Sequence, residues 1–114
     1  MESKENYFKF INNMGLCVNN LWETMLKCEF QENHEILISV KNMYDEFIKE
    51  SDNYIKNYND NEKDCCKIKR YIEDISKLIS QEEKYIIRED YISACDVLKY
   101  KIQPELTKLS NATR

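Results

Sequence analysis

Glycine and proline are almost absent from this chain, which has one of each among its 114 residues. β-Hairpins and tight strand–helix turns need residues at positive φ, and glycine is the first choice there. Asparagine is plentiful and can serve a few turns, but so little turn material favours long uninterrupted helices. A single glycine also cannot form a glycine-rich phosphate-binding loop.

Histidine is equally scarce, with His34 alone in the sequence. A di-iron or di-manganese bundle needs two Glu-x-x-His elements, and residue 31 is glutamine, so neither element exists. Zinc sites pair cysteines or histidines two to four residues apart, whereas Cys65 and Cys66 are adjacent and would point about 100° apart on a helix. A nucleophilic cysteine would need His34 brought across helices without any supporting motif. We expect no metal, no cofactor and no catalytic residue, and hence no enzyme.

Long apolar runs are missing as well. The longest uncharged run, residues 10–22, is too short and too rich in asparagine to cross a bilayer. The five cysteines are odd in number, have no framework-like spacing and follow no signal peptide. Free thiols in a reducing compartment are expected, so the sequence predicts a cytoplasmic protein that makes no membrane contact.

The charge balance argues against a general nucleic-acid binder. Seventeen basic and 21 acidic residues give a net charge of −4, whereas phosphate neutralisation needs a basic face. The most basic run, residues 67–71, is interpreted as a solvated helix face interrupted by one core isoleucine, Ile68. We therefore expect no nucleic-acid partner.

Helical periodicity accounts for most of the chain, which has the length of a single domain, residues 1–114. Apolar residues recur in steps of three and four over about residues 4–30, 33–58, 62–87 and 90–109. In the first helix, Gly15 marks a place where another helix comes close. Trp22 lies at the edge of the apolar face, where its ring is buried and its N–H stays in water. Asp90 is predicted to cap the fourth helix.

Two polar residues interrupt the core stripes. Ser51 in the second helix marks either a polar layer or a small residue opposite a large one. Glu82 in the third helix is expected at a solvated position near the end of the bundle, because a buried unpaired carboxylate is expensive. The alternative is that Glu82 lines an internal site.

The fourth helix contains the only proline, Pro104. Proline lacks the N–H that would bond the carbonyl of Tyr100, and its ring crowds that carbonyl, so a kink is predicted there. Short connections make sequential helices antiparallel. The prediction is an all-α, up-down-up-down four-helix bundle whose last helix is kinked at Pro104.

A second apolar line is predicted on the outer side of the fourth helix. Val97, Tyr100 and Pro104 lie opposite its core stripe, and Lys99 and Lys101 rim them. Isolated exposed aromatic residues are common. Three residues spaced for one face are a better candidate for a protein partner or for self-association as a homodimer.

Residues 90–106 resemble a C-terminal signature of small helical proteins from Gram-positive bacteria. In words, the signature is Asp-Tyr, hydrophobics, Ala-Asp-Leu-Leu-Glu-Tyr-Glu-Leu, then Pro and Leu. Seven residues match it, namely Asp90, Tyr91, Asp96, Leu98, Tyr100, Pro104 and Leu106. Cys95 replaces the alanine, and Lys99 and Lys101 replace the two glutamates. The resemblance implies a helical bundle of clostridial or bacillar type and supplies no activity.

These patterns favour a non-catalytic bundle that works as a protein-interaction module or scaffold. A specific alternative is a chaperone of the flagellar or export type, which holds an amphipathic helix of its client in a groove. The alternative from another class is a ligand-binding or enzymatic bundle with an internal pocket around Ser51 or Glu82.

Overall fold

The computed structural model describes residues 2–27, 33–57 and 62–113, and side chains within residues 5–27, 35–57 and 66–113. Four helical stretches pack together. The first three are α1 (Glu2–Leu26), α2 (Asn33–Lys56) and α3 (Glu62–Ile87). The fourth consists of α4 (Tyr91–Val97), a π-helical segment (Leu98–Ile102) and α5 (Gln103–Ala112). The predicted all-α four-helix fold, with a kink in its last helix, is confirmed.

The helices form a ring in which each contacts its two neighbours. The helix α2 packs against α1 and α3, and the fourth helix packs against α1 and α3 on the other side. The core contains apolar side chains from all four stretches, and its fully buried large side chains include Ile11, Val18, Phe47, Ile75, Ile79, Leu98 and Ile102. Cys17, on α1, is exposed.

A three-residue turn joins α3 to α4. The N–H of Asp90 donates to the carbonyl of Tyr85 at 2.9 Å, and the N–H of Glu89 donates to the carbonyl of Ile86 at 2.9 Å. This pair of bonds is the Schellman motif, which needs a residue in the left-handed region. Glu89 occupies it with φ 60°. The Asp90 carboxylate then accepts from the N–H of Ser93 at 3.2 Å, which confirms the predicted cap.

The kink takes the form of the π-helical segment directly before Pro104. The N–H of Gln103 donates to the carbonyl of Leu98, five residues back. A π turn is wider than an α turn, so it moves the backbone where the proline ring would crowd the carbonyl of Tyr100. The proline falls in the first turn of α5, where the missing N–H costs least.

The prediction that Val97 lies on the outer face is wrong, because its side chain is only 3% exposed. On a helical wheel Val97 lies about 100° from the core residue Leu98, whereas Tyr100 lies about 200° away. The fourth helix sits between α1 and α3, so its buried arc is wide enough to include Val97.

Side chains tie α1 to the fourth helix. The Gln103 Nε2 donates to the carbonyl of Gly15 at 2.7 Å. Further along, the Ser110 hydroxyl donates to Asn12 Oδ1 at 2.9 Å. A Cβ on Gly15 would meet only Gln103 Oε1, at 3.8 Å, which is ordinary van der Waals contact. A helix does come close to Gly15, as predicted, but it leaves room for a methyl group.

Candidate functional site

An open groove lies between α1 and α2, and we call it the α1–α2 groove. It encloses about 660 Å³. Its floor is apolar and consists of Phe10, Met14, Cys17, Leu21 and Met43. The four α1 residues are spaced by four, three and four, so they form a continuous line beside the core stripe. The groove was not predicted from the sequence, because its width depends on the distance between α1 and α2.

The rim of the α1–α2 groove is polar and carries a negative charge. It includes Asn13 and Asn20 on α1, with Asn42 and Glu46 on α2. Glu46 is the only charged side chain among the described residues that line it. The helix α2 as a whole has five acidic and three basic residues, so the surroundings are also acidic.

The residues predicted to bind a partner on the fourth helix are divided by the structure. Tyr100 is 71% exposed, and Pro104 and Lys101 are exposed as well. The Lys99 ammonium lies 4.5 Å from the ring centroid of Trp22, in cation–π geometry. Lys99 therefore links the π-helical segment to α1. Because Val97 is buried, the predicted apolar line is reduced to Tyr100 and Pro104.

Glu82 does not occupy the solvated position that was expected for it. Its side chain is 0% exposed, and neither carboxylate oxygen has a hydrogen-bond partner among the described residues. Burial raises its pKa from 4.5 to about 8. The carboxyl group is therefore mostly protonated at neutral pH, which lowers the cost of burying it.

Ser51 belongs to a buried polar contact at the other end of the core. Its hydroxyl and that of Tyr7 lie 2.6 Å apart in a hydrogen bond. The Tyr7 ring stacks on Tyr54 with centroids 4.4 Å apart. Burial raises the pKa of Tyr7. Both interpretations of Ser51 are consistent with this contact, because Ser51 is a small residue opposite the large Tyr7 and also pairs with its hydroxyl, 44 residues away in the chain.

The cysteines and the histidine form no recognisable site in the part of the chain that the structure describes. Cys17 and Cys66 are exposed thiols and Cys95 is buried. The side chains of His34 and Cys65 lie outside the described residues. Among described residues, no three His, Cys, Asp or Glu side chains cluster as a metal site would require. None of the described helices is both long and apolar enough to span a membrane.

The chain matches no protein-family model, no curated protein and no solved structure. The resemblance of residues 90–106 to a bacterial signature therefore stays a prediction.

Proposed function

We propose that this protein is a non-catalytic helical bundle that binds another protein, and that the partner lays an amphipathic helix in the α1–α2 groove. The observation that carries the proposal is the apolar floor of this groove, where Phe10, Cys17 and Met43 remain accessible beside a filled core. Open apolar surface of this kind is typical of interaction sites.

The shape of the groove suits a helix. Its α1 wall extends from Phe10 to Thr24, which corresponds to about 21 Å of helix. An incoming helix of about 14 residues matches that length, with apolar residues at every third or fourth position. Met14 and Met43 are flexible and polarisable, so this floor adapts to different apolar side chains.

The charge of the rim suggests the polar side of the partner. With Glu46 at the edge and an acidic α2 behind it, lysines or arginines flanking the apolar stripe of the partner would be favoured. A client helix held in this manner is the binding mode of the export-chaperone hypothesis, which is one version of this proposal.

The other hypotheses have less support. On the fourth helix, Tyr100 and Pro104 offer a smaller apolar surface than the groove, because Val97 is buried. An internal ligand pocket around Glu82 or Ser51 is disfavoured. Glu82 is buried and does not line the α1–α2 groove, and the Ser51 hydroxyl is already hydrogen-bonded to Tyr7.

The methionine methyl groups provide a direct test. A basic amphipathic peptide of about 14 residues is titrated into protein labelled at the methionine ε-methyl groups, and NMR spectra are recorded. We expect the signals of Met14 and Met43 to shift and that of Met25, which lies in the core outside the groove, to stay. A scrambled peptide without the apolar stripe is the matched control.

Charges introduced into the groove complete the test. A Cys17→Lys/Met43→Lys variant should bind the peptide at least about tenfold more weakly, because the bound peptide would bury both lysines against its apolar stripe. Cys66→Lys, on the exposed face of α3, and Tyr100→Ala should bind like the wild type. If Tyr100→Ala abolished binding while the groove variant bound normally, the partner surface would be the fourth helix and not the groove.

A further inference from the structure

A second groove, which we call the α2–α3 groove, differs from the first in chemistry. It encloses about 620 Å³, within the range of small-molecule sites. Its lining includes three cations and two aromatic rings, from Lys77, Lys84, Arg88, Tyr44 and Tyr85. Tyr44 and Tyr85 also pack against the core, whereas the three cations belong neither to the core nor to the α1–α2 groove.

The cations form one row at the C-terminal half of α3. Lys77 and Lys84 lie on α3, and Arg88 directly follows it, with its N–H donating to the carbonyl of Lys84 at 3.2 Å. The spacing of seven and four residues places them on one face over about 16 Å. Lys84 and Arg88 are one turn apart, with Cβ atoms about 6 Å from each other, so both side chains can reach the same anionic group.

None of the described carboxylates forms an ion pair with these cations. No described carboxylate lines the groove, and the only ion pair among described residues is Lys108 with Glu105, at 3.1 Å. In a protein with a net charge of −4, three cations without an acidic partner among the described residues form a local site and not a general basic surface. A row of cations is complementary to an extended anion such as a chain of phosphates.

Two tyrosines supply the remaining chemistry. Tyr44 on α2 and Tyr85 on α3 are both half-buried and line the groove from facing helices. The Tyr85 hydroxyl accepts from Gln81 Nε2 at 3.4 Å, which holds that side chain in the groove. A half-buried tyrosine ring beside a row of cations offers a stacking surface for a planar heterocycle.

We propose that the α2–α3 groove binds a mononucleotide, with its base against the tyrosine rings and its phosphates along Lys77, Lys84 and Arg88. The cations explain the preference for phosphate, and the tyrosines explain the preference for a base. A polymeric nucleic acid fits less well, because the acidic remainder of the surface would repel the chain beyond the groove.

Calorimetric titration at low ionic strength without divalent cations tests this site with four probes: ATP, adenosine, sodium triphosphate and a single-stranded oligonucleotide. We expect ATP to bind most tightly, and adenosine and triphosphate each to bind about tenfold more weakly or worse. The affinity for ATP should fall as salt is added, because the lysines and arginine are exposed. Equal affinity for triphosphate and ATP, or tighter binding of the oligonucleotide, would overturn the proposal.

Matched variants locate the site. Lys77→Gln/Lys84→Gln should lose about tenfold in ATP affinity, since each partly exposed charged contact contributes up to a factor of about five. Lys49→Gln/Lys67→Gln removes the same charge from exposed positions outside the groove and should leave the affinity unchanged. All four lysines are exposed, so both variants should fold. Equal losses of ATP affinity in the two variants would show that the effect comes from net charge alone, and would refute the site.

Discussion

The buried carboxyl group of Glu82 should make the stability of this protein fall steeply as pH rises. Its pKa is about 8 in the folded protein, against 4.5 for the group in water. Below about pH 4.5 the group is protonated in both states. Between these two values the folded protein keeps the proton and the unfolded chain has released it, so stability is lost as pH rises. Above about pH 8 the group is ionised in both states.

The magnitude follows from the difference between the two pKa values. Each pH unit within that window lowers the free energy of unfolding by about 1.4 kcal/mol. Over the whole window the loss is about 5 kcal/mol, which is comparable with the total stability of many domains. Glu82 is fully buried, so solvent screening does not reduce this value greatly.

Urea denaturation followed by circular dichroism measures the effect for the wild type and Glu82→Gln from about pH 5 to about pH 9. The glutamine is neutral and has the same shape, but its amide is also buried without a partner. That cost is independent of pH, so the slopes and not the absolute stabilities are compared. The wild type should lose about 1.4 kcal/mol per pH unit relative to the variant up to about pH 8.

An exposed carboxylate on the same helix provides the control. Glu73→Gln is that control, because it removes a carboxylate from the exposed surface of α3. Parallel curves for the wild type and Glu82→Gln would show that Glu82 titrates equally in the folded and unfolded chains. The argument from burial would then be refuted.

Three further substitutions test the fold by urea denaturation. Gly15→Ala should stabilise the protein by up to about 1 kcal/mol, because there is room for a methyl group at this position of α1. A loss of stability would mean that the new Cβ lies closer to Gln103 Oε1 than the expected 3.8 Å. Glu89→Gly should add about 1 kcal/mol by relieving the left-handed φ of 60°, whereas Glu89→Ala should not. Tyr7→Phe should lower the free energy of unfolding by about 1–3 kcal/mol, because it leaves the Ser51 hydroxyl unpaired. Adding Ser51→Ala should recover part of that loss of stability. Equal losses in the single and double variants would contradict the hydrogen bond.

The helices could be predicted because their signals are local. Steps of three and four identified the four helical stretches, and the predicted third helix, residues 62–87, coincides with α3. The Asp90 cap and the kink before Pro104 each follow from the chemistry of one residue acting on its immediate neighbours. Interactions between residues a few positions apart depend mainly on the local sequence, so they can be predicted from it.

Glu82 shows where local reasoning gave the wrong result. Its position in the stripe of Ile75, Ile79 and Ile86 predicted burial, but the cost of a buried charge argued for solvent. The structure buries the side chain, and protonation removes most of that cost. The apolar stripe predicted the burial correctly and the cost of a buried charge did not, because the charge of a carboxyl group depends on an environment that is formed only on folding.

The chain by itself determined that there would be four amphipathic helices, approximately which residues form them, and where the last one bends. Tertiary structure alone decided that Val97 is buried, that Ser51 pairs with Tyr7, and that open grooves lie between α1 and α2 and between α2 and α3. The first set depends on hydrogen bonds and side chains within one or two turns. The second depends on the distance and rotation between helices far apart in the chain, which are fixed only when all four pack together.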